Sequence, residues 1–136
     1  MILWCVFIQL LSLYVILGIG GKHRTRSHAR DTAKVLNQIE PDFIRLRTFV
    51  PKINTPLLEE VQNQSFKMLG PHEVLYETAL LIKNIQVSSY VTSDHYTNYI
   101  NLEGRLPQAK IRFLDEIDAA LTRDEKSFRP FFIGTA

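Results

Sequence analysis

The alternation of apolar and polar positions in residues 13–50 predicts a strand, a helix and a second strand. Residues 13–17 form an apolar, β-rich run, and glycines at 18, 20 and 21 mark a turn after it. Apolar side chains then recur at helical spacing as far as residue 39. Glu40 stands before a proline and therefore predicts the end of this helix. The side chains expected on its buried face are those of Ala29, Thr32, Ala33, Leu36 and Ile39.

Residues 42–50 form the second predicted strand, with its apolar side chains buried. Arg45 and Arg47 share one face of this strand, since successive side chains of a strand point to opposite faces. Their guanidinium groups require water, an acidic partner or the anion of a substrate, and the sequence leaves these alternatives open. In the loop that follows, Asn54 is expected to adopt left-handed backbone angles, which asparagine tolerates better than most residues.

The second half of the chain continues the alternation of helices and strands. Gly70-Pro71 and an apolar stripe predict a helix over residues 71–85, and residues 87–92 form the last predicted strand. Residues 98–105 are predicted as a polar loop, and residues 128–136 as an aromatic tail that docks across the last helix or frays. The fold class is therefore α/β. The final helix is expected to start at Pro107, with a core face of Ile111, Leu114, Ile117 and Leu121.

Size and charge exclude several classes of protein. The chain has 136 residues, fewer than the roughly 200 that an independent (β/α)8 barrel needs. Its composition is 46% hydrophobic and 22% charged, which is typical of a globular domain rather than a disordered one. The net charge of +2, from 16 basic and 14 acidic side chains, creates no strong field, so we expect no nucleic-acid partner.

A single cysteine, Cys5, limits the redox and metal chemistry of the chain. One thiol cannot form a disulfide framework or a cysteine zinc site within one chain. A 4Fe–4S cluster with one open iron needs three cysteine thiolates, so one chain cannot hold it. The low use of cysteine favours a reducing, cytoplasmic location.

The first 20 residues carry no charged side chain and are long enough to cross a bilayer as a helix. This allows an alternative function, a small membrane-anchored interaction protein in which residues 1–20 form the transmembrane helix. Lys22, His23, Arg24 and Arg26 would then flank the membrane on its cytoplasmic side. The competing interpretation of residues 13–17 is a buried parallel strand, because such strands are near-continuous apolar runs.

The spacing of the four histidines does not predict a metal site. His23 and His28 are five residues apart, which is not the spacing that puts two imidazoles on one face of a helix. Asp94, His95 and Asn98 follow the last predicted strand, a place where functional groups collect. We favour a hydrogen-bonded turn there over a catalytic role.

Four segments carry a resemblance to a known family: ILGIGG, PDFIRLRTFVP, TPLLEE and SDHYTNYINLEGRLP. In this order and spacing they resemble radical S-adenosylmethionine (radical SAM) proteins, including those of coproporphyrinogen-oxidase-like type, over roughly residues 13–123. The family often has a Pro-Gly-Thr-Pro-Leu loop where this chain has Asn54 in place of the glycine. The resemblance implies the C-terminal fragment of a partial (β/α)6 TIM-like barrel with an α-helical extension. Residues 1–12 would be an apolar segment of uncertain origin, 13–92 the late β/α units, and 93–136 the extension.

The resemblance also implies a cofactor site. Complete members of the family bind a 4Fe–4S cluster and S-adenosylmethionine, and the cluster ligands lie in a CxxxCxxC half that this chain lacks. Ile16 and Gly18 resemble positions that contact the adenine of the cofactor, and Val50 resembles the apolar position on its other side. The expected function is that of a truncated radical SAM oxidoreductase, inactive and without cofactor by itself. The expected partner is the missing N-terminal half of the barrel or a second copy of the chain.

Overall fold

The computed structural model describes residues 9–135, which contain a four-stranded sheet and four α-helices. The α/β fold class is thereby confirmed. Most of the predicted N-terminal segment, residues 1–8, lies outside the described residues, as does Ala136. Short 3-10 turns occur at Lys22–Arg24 and Glu125–Ser127. The strands and helices are β1 Ser12–Leu17, α1 Thr25–Ile39, β2 Phe43–Thr48, α2 Pro56–Gln62, α3 Pro71–Asn84, β3 Tyr90–Thr92, β4 Glu103–Arg105 and α4 Lys110–Leu121.

The order of the strands in the sheet follows their order in the chain, β1-β2-β3-β4. β1, β2 and β3 are parallel, and β4 is antiparallel to β3. Because β1 and β4 are both edge strands, the sheet is open, and the described residues form no closed barrel. The register pairs Leu17 with Thr48, so the carboxyl ends of β1 and β2 lie side by side.

α1, α3 and α4 cover one face of this sheet. α1 packs against α3, and α3 packs against α4. The apolar faces of these helices and every second residue of the strands together form the hydrophobic core. On β1, for example, Val15 and Leu17 are buried, whereas Tyr14 is 56% and Ile16 is 36% exposed. Each fully buried leucine or isoleucine contributes roughly 1.5–3 kcal/mol. The buried face therefore holds the fold together, and the opposite face remains open.

Several local predictions are confirmed. α1 ends at Ile39, after which Glu40 takes a left-handed conformation and donates its backbone N–H to Leu36 O. Asn54 has φ 60°, as expected for a residue that replaces glycine in a turn. α3 begins at Pro71, and the side chain of Glu73 accepts the N–H of Gly70 at the start of the helix. These features depend on residues close in sequence.

Other local predictions are wrong. The loop predicted for residues 98–105 contains β4, which pairs with β3. The strand predicted for residues 87–92 is shorter, since β3 covers three residues, Tyr90–Thr92. α4 starts at Lys110, not at Pro107, and turns Phe113 into the core. Ile111, predicted to be buried, is 75% exposed, and Ile39 at the end of α1 is also exposed. Packing against α3 decides which side of α4 is buried.

The position of β1 decides between the two interpretations of residues 13–17. Among residues 9–135, no helix is long and apolar enough to span a membrane. Ser12–Leu17 is a strand that pairs with β2 along its whole length. The strand interpretation of residues 13–17 is therefore correct, although only one of the two faces of β1 is covered.

Candidate functional site

A groove of about 450 Å³ lies at the carboxyl ends of β1 and β2. β1 contributes Ile16, the end of β2 contributes Arg47 and Thr48, and the loops after β2 and β3 form the remaining walls. Gly134 of the C-terminal tail closes one side and pairs with Lys52 in a short parallel bridge. The tail thus docks beside the loop after β2. In folds with parallel strands, ligands bind at the carboxyl ends of the strands, so this groove is the candidate site.

The structure brings together two of the three residues predicted to contact a cofactor. Ile16 and Val50 both line the groove. Gly18 does not line it, because the chain turns toward the helices directly after β1. Gly18 has φ +80°, a backbone conformation that side chains disfavour, and a Cβ at this position would lie 3.8 Å from Leu69 and Val74. Binding of adenine by these residues stays a prediction.

The side chain of Asn98 connects the strand ends at the groove through hydrogen bonds. Its Nδ2 donates to Leu46 O and to Ser93 O, both at 2.9 Å. Its Oδ1 accepts from Thr48 Oγ1 at 3.1 Å. One partly buried amide therefore joins β2 to the turn after β3, as the turn interpretation of this segment predicts.

His95 lines the groove as a neutral imidazole. Its Nδ1 lies 2.8 Å from Thr97 Oγ1 and 3.4 Å from the backbone N of Thr97. Because a backbone N–H can only donate, we assign Nδ1 as the acceptor and Nε2 as the protonated nitrogen. Burial lowers the pKa of His95, the positive charge of Arg47 lowers it further, and Asp94 opposes these effects.

We expect the Arg47→Gln substitution to raise the pKa of His95, because it removes a nearby positive charge that disfavours the imidazolium. An NMR titration of the His95 ring protons measures this directly. Arg45→Gln is the matched control, since Arg45 is exposed and donates from Nε to Ser12 Oγ away from the groove. Equal titration curves for Arg47→Gln and the unmodified chain would contradict the electrostatic coupling.

The ring of Tyr96 lies beside that of His95 and the ring of Phe132 beside that of Tyr96, and these two rings are called the aromatic lip below. The ring of Tyr96 lies 4.3 Å from that of His95 and 5.9 Å from that of Phe132, and Tyr96 is 71% exposed. Arg129 donates to Thr97 O and lies over the Phe132 ring, which holds the tail against this turn. Sequence reasoning missed Tyr96 and Phe132, which are 36 residues apart in the chain. The only local signal was the run of polar and aromatic residues after the last predicted strand.

A buried carboxylate lies behind the groove, on the helical side of the sheet. Glu77 of α3 is fully buried, and its Oε1 accepts from Gly18 N at 2.9 Å and from His28 Nδ1 at 2.7 Å. Its Oε2 has no hydrogen-bond partner among the described residues. The carboxylate therefore ties the turn after β1 to both α1 and α3. Sequence reasoning missed it, although Glu77 interrupts the apolar stripe of α3 three residues after Val74 and four before Leu81.

The described part of the chain has no set of side chains that suits a metal ion or an iron–sulfur cluster. Residues 9–135 contain no cysteine, so no described side chain is a thiolate ligand for a 4Fe–4S cluster. Within the same range, no group of three His, Cys, Asp or Glu side chains could hold a metal ion.

The groove is formed by segments that are distant in the sequence. Residues on β1, on β2 and in the loop after β3 line the groove, because the carboxyl ends of these parallel strands lie at the same edge of the sheet. No family model matches the chain, and no curated protein and no solved structure matches it either.

Proposed function

We propose that this chain is the later part of a radical SAM barrel and forms one wall of the active site of an iron–sulfur oxidoreductase. One observation carries the proposal. Ile16 and Val50, the two apolar residues that resemble adenine contacts, line one groove at the carboxyl ends of adjacent parallel strands. That end of the strands is where parallel barrels bind their ligands.

The order of the strands and the position of the helices support the proposal of a partial barrel. In a (β/α) barrel, neighbouring strands follow one another in sequence and every helix lies on the outer face. Doubly wound sheets instead reverse their strand order and carry helices on both faces. Here β1, β2 and β3 are in sequence order, and α1 packs against α3 on the same face. The open face, which includes Tyr14 and Ile16, then corresponds to the interior of the barrel.

The antiparallel β4 favours a boundary between barrel and extension near residue 93. A further barrel strand would be parallel to β3, whereas the strand that follows β3 in the chain runs in the opposite direction. At the other side of the sheet, β1 is an edge strand whose neighbouring position is not filled by any described residue. We infer that the missing N-terminal half of the barrel, or a second copy of the chain, adds a strand at this edge.

The chain's own residues bind and orient, and we assign no catalytic residue to it. Ile16 and Val50 supply apolar contacts to the adenine, and Gly18 keeps the turn after β1 free of a side chain. In complete members of the family, the cluster supplies the electron that cleaves S-adenosylmethionine. The cysteines that bind the cluster belong to the half of the barrel that this chain lacks, so the chain is catalytically incomplete alone.

The binding energy that this wall can supply is small. The contact of two apolar side chains with one purine buries on the order of 100 Å², which at about 25 cal/mol per Å² gives about 2.5 kcal/mol. The loss of translational and rotational freedom on association costs more than this. The chain alone should therefore bind the adenosyl group only in the millimolar range or above.

We expect adenosine and S-adenosylmethionine to shift the NMR methyl signals of Ile16 and Val50 only at millimolar concentration. Val50→Asp should abolish these shifts, because a charge replaces the apolar contact. Ile53→Asp is the matched control, since Ile53 is exposed in the same loop but does not line the groove. Micromolar binding would contradict the incomplete site. Equal shifts in Val50→Asp and Ile53→Asp at millimolar ligand would contradict the contact of Val50 with adenine.

A further inference from the structure

Among residues 9–135, the walls of the groove carry two cationic side chains and no Asp or Glu side chain. Arg47, Lys52 and His95 line it, and none of its other lining residues is Asp or Glu. Asp94 raises the pKa of His95, but its carboxylate does not line the groove. This local excess contrasts with the nearly balanced charge of the whole chain, which is +2.

The guanidinium group of Arg47 has no anionic partner among residues 9–135. Four salt bridges occur in that part of the chain, and none of them involves Arg47 or Lys52. Arg47 is partly buried, and its guanidinium lies 4.5 Å from the centre of the Tyr14 ring. Stacking on an aromatic ring fixes the plane of the guanidinium while its N–H groups remain able to bind an oxyanion.

His95 and the aromatic lip add a neutral donor and an apolar surface. With Nδ1 occupied by Thr97, the protonated Nε2 of His95 is the nitrogen left to donate. Tyr96 stacks on His95 and exposes most of its surface, and Ile16 provides an apolar wall from β1. The groove therefore combines donors for an anion with surfaces that suit an apolar or aromatic body.

We propose that this groove binds a small apolar or aromatic acid by its oxyanion, with Arg47 as the principal anchor and Lys52 and His95 as further donors. The inference rests on the proposed function in one respect, which is that the bound acid is a substrate. A carboxylate and a phosphate ester share this chemistry, and the binding experiment distinguishes them. Arg45 takes no part, because its Nε donates to Ser12 Oγ near the amino end of β1.

The test uses the full chain and three probes of similar shape, benzoate, benzamide and phenyl phosphate, each titrated while the NMR signals of His95 and Ile16 are followed. We expect benzoate or phenyl phosphate to bind at least tenfold more tightly than neutral benzamide, the order of effect of a charge-assisted hydrogen bond. Tighter binding of benzoate identifies a carboxylate ligand, and tighter binding of phenyl phosphate identifies a phosphate ester.

Arg47→Gln should weaken the binding of the preferred anion about tenfold, whereas Arg45→Gln on the same face of β2 should leave it unchanged. Lys52→Gln is a second test at an exposed position that carries no core packing, and we expect a smaller loss there. Equal binding of benzoate and benzamide, or equal losses in Arg45→Gln and Arg47→Gln, would overturn the proposal. Since no cofactor or adenosine is present, this result is independent of the test of the adenine wall.

Discussion

Replacement of Glu77 by alanine is expected to lower the free energy of unfolding by about 3 kcal/mol. The carboxylate is fully buried and accepts from Gly18 N and from His28 Nδ1. Its removal leaves a buried backbone N–H and a largely buried imidazole without their partner, and each such group carries a desolvation penalty of about 1–3 kcal/mol. Urea unfolding followed by circular dichroism measures the change.

Two further variants separate the role of Glu77 from a general effect of losing a carboxylate. Glu77→Gln keeps an oxygen that can accept from Gly18 N, so we expect a loss of about half that of alanine. Asp115→Ala on α4 removes an exposed carboxylate that forms no salt bridge among the described residues, and it should change stability by less than about 0.5 kcal/mol. Similar losses for Asp115→Ala and Glu77→Ala would show that the buried carboxylate has no special role.

Asn98→Ala is expected to lower the free energy of unfolding by about 2 kcal/mol and to loosen the groove. The side chain makes three hydrogen bonds, to Leu46 O, Ser93 O and Thr48 Oγ1, and each contributes about 0.5–1.5 kcal/mol net. Without it, the end of β2 and the turn after β3 lose their side-chain link. Hydrogen exchange should therefore increase at these two segments, while the helices that cover the other face stay protected.

The matched control for Asn98 is Asn101→Ala, since Asn101 is an exposed amide three residues along the same segment. Asn98→Asp provides a sharper test, because a carboxylate would face the carbonyl oxygens of Leu46 and Ser93 and could donate to neither. We expect it to be at least as destabilising as alanine at neutral pH. Wild-type stability of Asn98→Asp would contradict the role of the two donated hydrogen bonds.

The sequence by itself determined the elements that depend on neighbouring residues. The apolar run before Gly18, the helical spacing up to Ile39 and the Glu40-Pro41 stop predicted β1, α1 and the end of α1. The conformation of Asn54 and the start of α3 at Pro71 were predicted for the same reason. Steric limits on φ and ψ and the periods of helix and strand act within a few residues, so a single sequence is enough to apply them.

Only the tertiary structure decided the features that join distant segments. β4 exists because Glu103–Arg105 pairs with β3, and its polar, glycine-containing sequence has no strand period of its own. Phe113 is buried and Ile111 exposed because α3 selects one side of α4. The family resemblance predicted Ile16 and Val50 as cofactor contacts, which stays a prediction, but no local pattern could pair Gly18 with Glu77, 59 residues away. Such contacts depend on which faces meet when the helices pack on the sheet, and local periodicity does not carry that information.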